Sequence, residues 1–186
     1  MANVDLRFTL VIRLFIDPSP PILGIVSVTY DTIRVSAMEN STADYLKTCI
    51  FPIGEGPCLY IATVNSNTFS GLNASRIYSV QGVAVFQNQE SSPAVLLSVY
   101  TAPTSPTATV TAQVNNTLTV SFNETSNTTA FNVCIHLSNG SCTPTAATSP
   151  TVFEDLIHSG NYTVEIIGVF NNAESTPAII APVYTG

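Results

Sequence analysis

The chain has 186 residues, 45% of them hydrophobic and only 9% charged, which is too apolar for a disordered segment and too poor in charge for an ordinary soluble domain. No window reaches the roughly 18 consecutive apolar residues of a membrane-spanning helix, so no membrane insertion is expected. Five Lys and Arg stand against twelve Asp and Glu, and the last of the cations is Arg76, so neither nucleic acid nor an anionic membrane is an expected partner.

The N-terminal residues 1–17 open with an alternation. Val4, Leu6, Phe8, Leu10, Ile12, Leu14 and Ile16 are all large and apolar, a period of two that predicts a strand of about 43 Å at roughly 3.3 Å per residue. Asp5, Arg7 and Arg13 interrupt the run, and no small-residue cleavage site follows, so it makes a poor signal peptide. Either an export signal has been removed or the chain is a piece of a longer product. A strand of this kind, left free, exposes unpaired backbone on both edges and is an aggregation site. It therefore pairs either with the sheet of its own domain or with a neighbouring molecule. Asp17-Pro18-Ser19-Pro20-Pro21 favours the neighbour, because three prolines in four residues form an extended spacer and no tight hairpin.

Two strand-rich copies follow, residues 18–101 and 102–186. The run Val85-Phe86-Gln87-Asn88-Gln89-Glu90-Ser91-Ser92-Pro93-Ala94 is echoed 84 residues on by Val169-Phe170-Asn171-Asn172-Ala173-Glu174-Ser175-Thr176-Pro177-Ala178. Tyr78 and Tyr162, Leu72 and Leu156, and Cys58 and Cys142 keep that spacing, whereas Cys49 and Cys134, and Val35 and Val120, lie 85 apart. A period this long marks a duplicated small domain. Within the copies Ile33, Val35 and Ala37 alternate with polar residues, as do Leu118, Val120 and Phe122, and helix signals are nearly lacking. The fold class is all-β, with a sandwich of about seven strands per copy preceded by the extended N-terminal strand. Ile22 to Val28 already supplies a first strand to copy one, so residues 1–17 are surplus to both sandwiches. Residues 101–107, rich in Pro and Thr, read as a stiffened linker and a candidate O-glycan acceptor.

Asn40, Asn73, Asn115, Asn123, Asn127, Asn139 and Asn161 each head an Asn-x-Ser/Thr sequon. Fifteen Asn among 43 Ser and Thr would produce roughly three or four by chance, so the excess points to N-glycans that solvate a weakly charged surface. Four cysteines point to an oxidising compartment. Cys49 with Cys58, and Cys134 with Cys142, occupy equivalent places in the copies, which favours local disulfides over cross-domain ones. Closing loops of about ten residues is worth roughly 2.7 kcal/mol each in the chain-entropy model.

The run Leu156-Ile157-His158-Ser159-Gly160-Asn161-Tyr162-Thr163-Val164 resembles the corner between strands E and F of fibronectin type III domains. Residues 167–178 resemble that family's strand F, FG loop and start of strand G, and Leu118-Thr119-Val120-Ser121-Phe122 its strand B. The family usually carries Trp where Ala37 and Phe122 stand, and this chain has none, so another immunoglobulin-like relative stays open. The resemblance covers about residues 20–100 and 103–184. A corner Tyr can bury its ring between the sheets while its hydroxyl bonds nearby backbone.

Neither copy offers a case for an enzyme. Cys134, His136 and Cys142 lack a fourth zinc ligand, and copy one has Phe51 in the place of His136. Glu154, Asp155, His158 and Ser159 crowd a single turn without a counterpart in copy one, as a solvated loop does. There is no phosphate loop, calcium loop or other cofactor fingerprint. The expected protein is an extracellular, glycosylated structural subunit that polymerises head to tail with other copies of itself by inserting its N-terminal strand. Leu6, Phe8, Leu10, Ile12 and Leu14, as anchors at about 1.5–3 kcal/mol each, could hold such a joint. The alternatives are a cell-surface adhesion or receptor module and an accessory domain pair of a larger secreted protein.

Overall fold

The computed structural model describes residues 18–38, 43–54, 58, 60–63 and 65–186. The N-terminal strand residues Val4, Leu6, Phe8, Leu10, Ile12, Leu14 and Ile16, and the sequon residue Asn40, lie outside the described residues.

The alternating stretches become strands, and the repeat becomes two sandwiches of the same topology. In the first, β1 (Ile22–Val28), β2 (Thr32–Met38) and β5 (Ser66–Ser70) form one sheet in the order β1-β2-β5. The facing sheet has β3 (Tyr45–Pro52) between β4 (Ile61–Thr63) and β6 (Ile77–Phe86). The short β7 (Gln89–Glu90) and then β8 (Ala94–Tyr100) lie on the far side of β6. The second sandwich repeats this with β13 (Thr151–Phe153), β10 (Thr117–Asn123) and β9 (Thr107–Val114) against β12 (Thr145–Ala147), β11 (Ala130–Leu137), β14 (Asn161–Phe170), β15 (Ala173–Glu174) and β16 (Ala178–Tyr184). All pairings are antiparallel, and the register slips fall at equivalent places, in β1 and β9 and again where β8 and β16 meet their partners. The hairpins into β7 and β15 turn on Gln87-Asn88 and Asn171-Asn172, all four with positive φ. Two-residue turns of that hand match the twist of the flanking strands, and Asn tolerates the left-handed conformation.

The inward residues of each alternation make the cores. Ile33, Val35, Phe69, Tyr78, Val80 and Val99 fill the first. Leu118, Val120, Phe122, Val133, Leu156, Tyr162, Val164, Ile166 and Val183 fill the second. At the positions where the resemblance leads one to expect Trp the two copies diverge. Phe122 packs against Phe131 with ring centroids 4.9 Å apart, whereas Ala37 sits in a small cluster with Leu46 and Ala84. The second domain therefore has the larger aromatic core.

Three polar devices are repeated. Tyr78 and Tyr162 are buried, and their hydroxyls accept the Asn73 and Ile157 amides at 2.9 and 2.8 Å. Ser91 and Ser175 accept the amides of Ala84 and Gly168 at 3.0 and 2.9 Å and donate to the carbonyls of Ser92 and Thr176. Thr101 and Thr185 end the last strand of each domain, accepting the amides of Arg76 and Gly160 and donating to the carbonyls of Asn73 and Ile157. Each buried hydroxyl thus satisfies a backbone group that would otherwise be costly to bury.

Two substitutions probe these contacts. Tyr162→Phe removes the acceptor of a part-buried amide and is expected to destabilise the second domain by about 1–3 kcal/mol in urea denaturation. Phe122→Ala is expected to cost about 3–5 kcal/mol there, with the unfolding of the first domain unchanged.

Candidate functional site

The cysteines pair within each domain, Cys49 with Cys58 and Cys134 with Cys142, at Cα separations of 5.7 and 5.9 Å. Each bond ties the third strand of its domain to the loop that follows. His136 contacts the Leu137 carbonyl through Nδ1 at 2.8 Å and lies 3.5 Å from Glu165 through Nε2, and both neighbouring cysteines are consumed by their disulfide. Glu154, Asp155, His158 and Ser159 are exposed on the turn before β14. Asn73, Asn115, Asn123, Asn127 and Asn139 are exposed, as glycan acceptors must be. Asn161 differs: it is half-buried in β14 and its Oδ1 is buried without a hydrogen-bond partner.

Residues 101–107, by composition a stiffened linker and a candidate O-glycan acceptor, form a packed joint. Thr101, Ala102, Pro103 and Pro106 are buried. The Ala102 amide donates to the Thr29 carbonyl at 3.1 Å and its carbonyl accepts from Ser75 at 3.2 Å. Ser126 of the second domain touches Ser75 of the first, Oγ to Oγ 3.1 Å, and accepts the Thr104 amide at 3.0 Å. The Thr101 hydroxyl is committed to the backbone of the first domain. The hydroxyls of Thr104 and Ser105 are held by Thr125 and by the Thr176 carbonyl, both at 2.6 Å. A segment this short has its prolines pressed between two bodies, and their rings become interface.

This joint creates a trough that neither domain has alone. Phe170 at the tip of β14 meets Tyr100 at the end of β8 edge to face, with centroids 5.8 Å apart, and so carries the Asn171-Asn172 turn over the first sandwich. Between them lies a cleft of about 430 Å³, with Ile25 and Val28 of β1 on one wall, Leu96 and Val99 of β8 on the other, and Ala173 closing the end. Val28 also lines a second hollow of about 460 Å³, between residues 28–32 of the first domain and Glu174, Ser175, Thr176 and Pro177 of the second. The turn at its mouth is set by Thr29, whose hydroxyl accepts the Thr32 amide at 3.0 Å and donates to Asp31 at 2.9 Å, leaving the Tyr30 ring exposed. The walls of both hollows are mainly apolar, and the second also carries two acids, Asp31 and Glu174.

The outer sheet of the first domain carries a separate polar cluster. Lys47 Nζ lies 2.5 Å from Glu90 Oε1, and that hydrogen bond holds the ammonium above the usual lysine range. Partial burial raises the Tyr60 phenol, which donates to Gln81 at 3.1 Å. Among the described residues no three His, Cys, Asp or Glu side chains converge as a metal site, and no helix is long and apolar enough to cross a membrane.

The trough residues escape motif reading, because they belong to two copies and their proximity depends on how the joint folds. One signal was present in the repeat itself: Ile22, Val26 and Val28 stand in register with Thr107, Thr111 and Gln113 of the second copy, an apolar replacement on one copy only.

No protein-family model matches the sequence, and no curated protein matches it. Solved structures do. A two-domain fibronectin type III segment from chicken tenascin is 21% identical, covers 89% of this chain and 99% of its own, and superposes with a TM-score of 0.49. The FN1–FN3 domains of chicken CNTN1 are 16% identical, with 91% of this chain and 68% of theirs covered, at a TM-score of 0.50. Identities this low speak to architecture: the chain is all-β and has the fold of tandem fibronectin type III domains.

Proposed function

We propose that this chain is an extracellular, glycan-bearing adhesion module that works by holding a polypeptide partner in the trough between its two domains. The observation that carries this reading is the buried joint, which spends a Thr, an Ala and two Pro on fixing the second domain's hairpin beside an apolar edge of the first. The disulfides and the exposed sequons support a secreted setting. Apolar walls beside a second hollow that bears Asp31 and Glu174 suit an extended segment with alternating large side chains and a few cations.

Beads coated with the purified chain are expected to cluster or to capture partner-coated beads, and the pair of substitutions Ile25→Lys and Ala173→Lys should reduce that capture at least tenfold. Position 173 corresponds to Gln89 in the other copy, so a polar residue is tolerated there. Undiminished capture by the folded variant would reject the trough as the adhesive surface.

A second reading is favoured by the thirteen-residue alternation of residues 4–16: the module is a structural subunit that joins others head to tail into a fibril through that strand. Electron microscopy of intact material is then expected to show filaments with a regular repeat, and dispersed single particles would exclude it. Under either reading, glycosidase release followed by peptide mass spectrometry should mark Asn73, Asn115, Asn123, Asn127 and Asn139, and leave Asn161 unmodified because it is enclosed in β14.

A further inference from the structure

We infer that the occupant of the trough is the segment 4–16 of a second copy of this chain, added as a strand along the open edge between β1 and β8. The inference rests on the trough being the binding surface, as proposed above, and names what fills it.

The first domain has two sheet edges facing the same gap. β1 pairs only with β2, and β8 only with β6, so among the described residues the outer side of each has no strand neighbour. Soluble sandwiches blunt such edges with polar side chains, prolines or bulges. Both domains carry bulges on these strands; the second adds Thr107, Thr111 and Gln113 on β9, and Pro182, which has no amide to offer, in β16. At the matching positions the first domain has Ile22, Val26 and Val28 on β1 and Ser98 on β8. Ile22 and Val26 are 53% and 52% exposed. β1 is thus more apolar at these positions than its counterpart β9, although the second domain exposes Val114 and Ile179 on its own edge strands, and a cover over β1 in the assembled state accounts for the difference.

The chain's own segment fits that edge in three respects. It is apolar at every even position from 4 to 16, so one face can fill the cleft while its peptide groups meet those of the edge strands. Its thirteen residues extend to about 43 Å against about 23 Å for the seven residues of β1, so it covers that edge and continues past it to the hairpin of the second domain. It holds Arg7 and Arg13 against Asp5 alone, the complement of the adjoining hollow, which shares Val28 with the trough and bears Asp31 and Glu174. The point of departure selects a neighbour over the same molecule. Residue 18 precedes the Ile22 end of β1, opposite the joint, whereas the trough lies at the Val28 end. A return along β1 would need a reversal ahead of Ile22, where Pro18 is buried and Pro21 lies against Gly82 of β6. Insertion into a neighbour repeats head to tail without closing.

Two full-length variants test this by complementation. Leu10→Arg spoils the inserting strand and leaves the trough intact; Ile25→Lys with Ala173→Lys spoils the trough and leaves the strand intact. Light scattering after size-exclusion chromatography is expected to show large species for the parent chain, single chains for each variant alone, and a 1:1 pair of twice the mass when the two are mixed. Should the double variant show altered far-ultraviolet circular dichroism, Val26→Lys, at the counterpart of Thr111, replaces it. A mixture that stays monomeric, or a parent chain that is itself monomeric, overturns the inference. If the trough variant loses bead capture while Leu10→Arg keeps it, the trough survives as a binding surface and the segment 4–16 falls as its occupant. If neither variant changes capture, both readings fall.

Discussion

Peptide groups at the rim of a β-sheet carry hydrogen-bonding capacity with no strand to use it, and each sandwich here has such rims on its first and last strands. Closing a barrel removes them, but a two-sheet sandwich cannot, so they must be guarded by side chains or covered by another segment. The two domains share nearly every other structural device: the tyrosine corner, the buried Ser after the hairpin, and the Thr that ends the last strand. They part company at the rim, where Thr and Pro in one copy face Ile, Val and Ser in the other. A duplicated fold therefore supplies its own control, since the two copies meet the same backbone demands and differ in how they meet water.

The joint converts that local difference into a site. Because Ala102 is bonded to Thr29 and Ser75, and Ser126 to Ser75 and Thr104, the hairpin of the second domain is held against the end of β8. Tyr100 and Phe170 are not counterparts: Tyr100 ends the last strand of the first copy, and Phe170 ends the long strand of the second. Their edge-to-face contact bridges the copies and extends the apolar rim into a walled trough. An exposed, flexible linker would have left the same residues as scattered surface hydrophobes, which need no explanation.

Much of the fold was legible in the residues. Period-two alternation at Ile33, Val35 and Ala37 and its echo at Leu118, Val120 and Phe122 locates paired central strands. The 84-residue echo with its one-residue slip between the cysteines locates the two copies. The turn pairs at Gln87-Asn88 and Asn171-Asn172 follow from backbone geometry that few residues tolerate. That the stiffened linker is packed between the domains was not legible, for a physical reason. Pro and Thr have the composition of a solvated spacer, and whether their rings and hydroxyls face water or protein depends on how closely the flanking strands bring the two bodies together. Asn161 shows the same limit, since a sequon reports sequence chemistry and not that its residue is half-buried in β14 with its Oδ1 enclosed.

By itself, then, the order of amino acids determined the β class, the duplication, the equivalent cysteine pairs and the sticky alternation of residues 4–16, because each depends on spacing along one strand or on likeness between copies. Only the tertiary structure decided that Val28, Tyr100 and Ala173 line one trough and that Thr101, Ala102, Pro103 and Pro106 are buried. Those are relations between separate sheets, and they arise when side chains distant in sequence compete for the same space, so no local period records them.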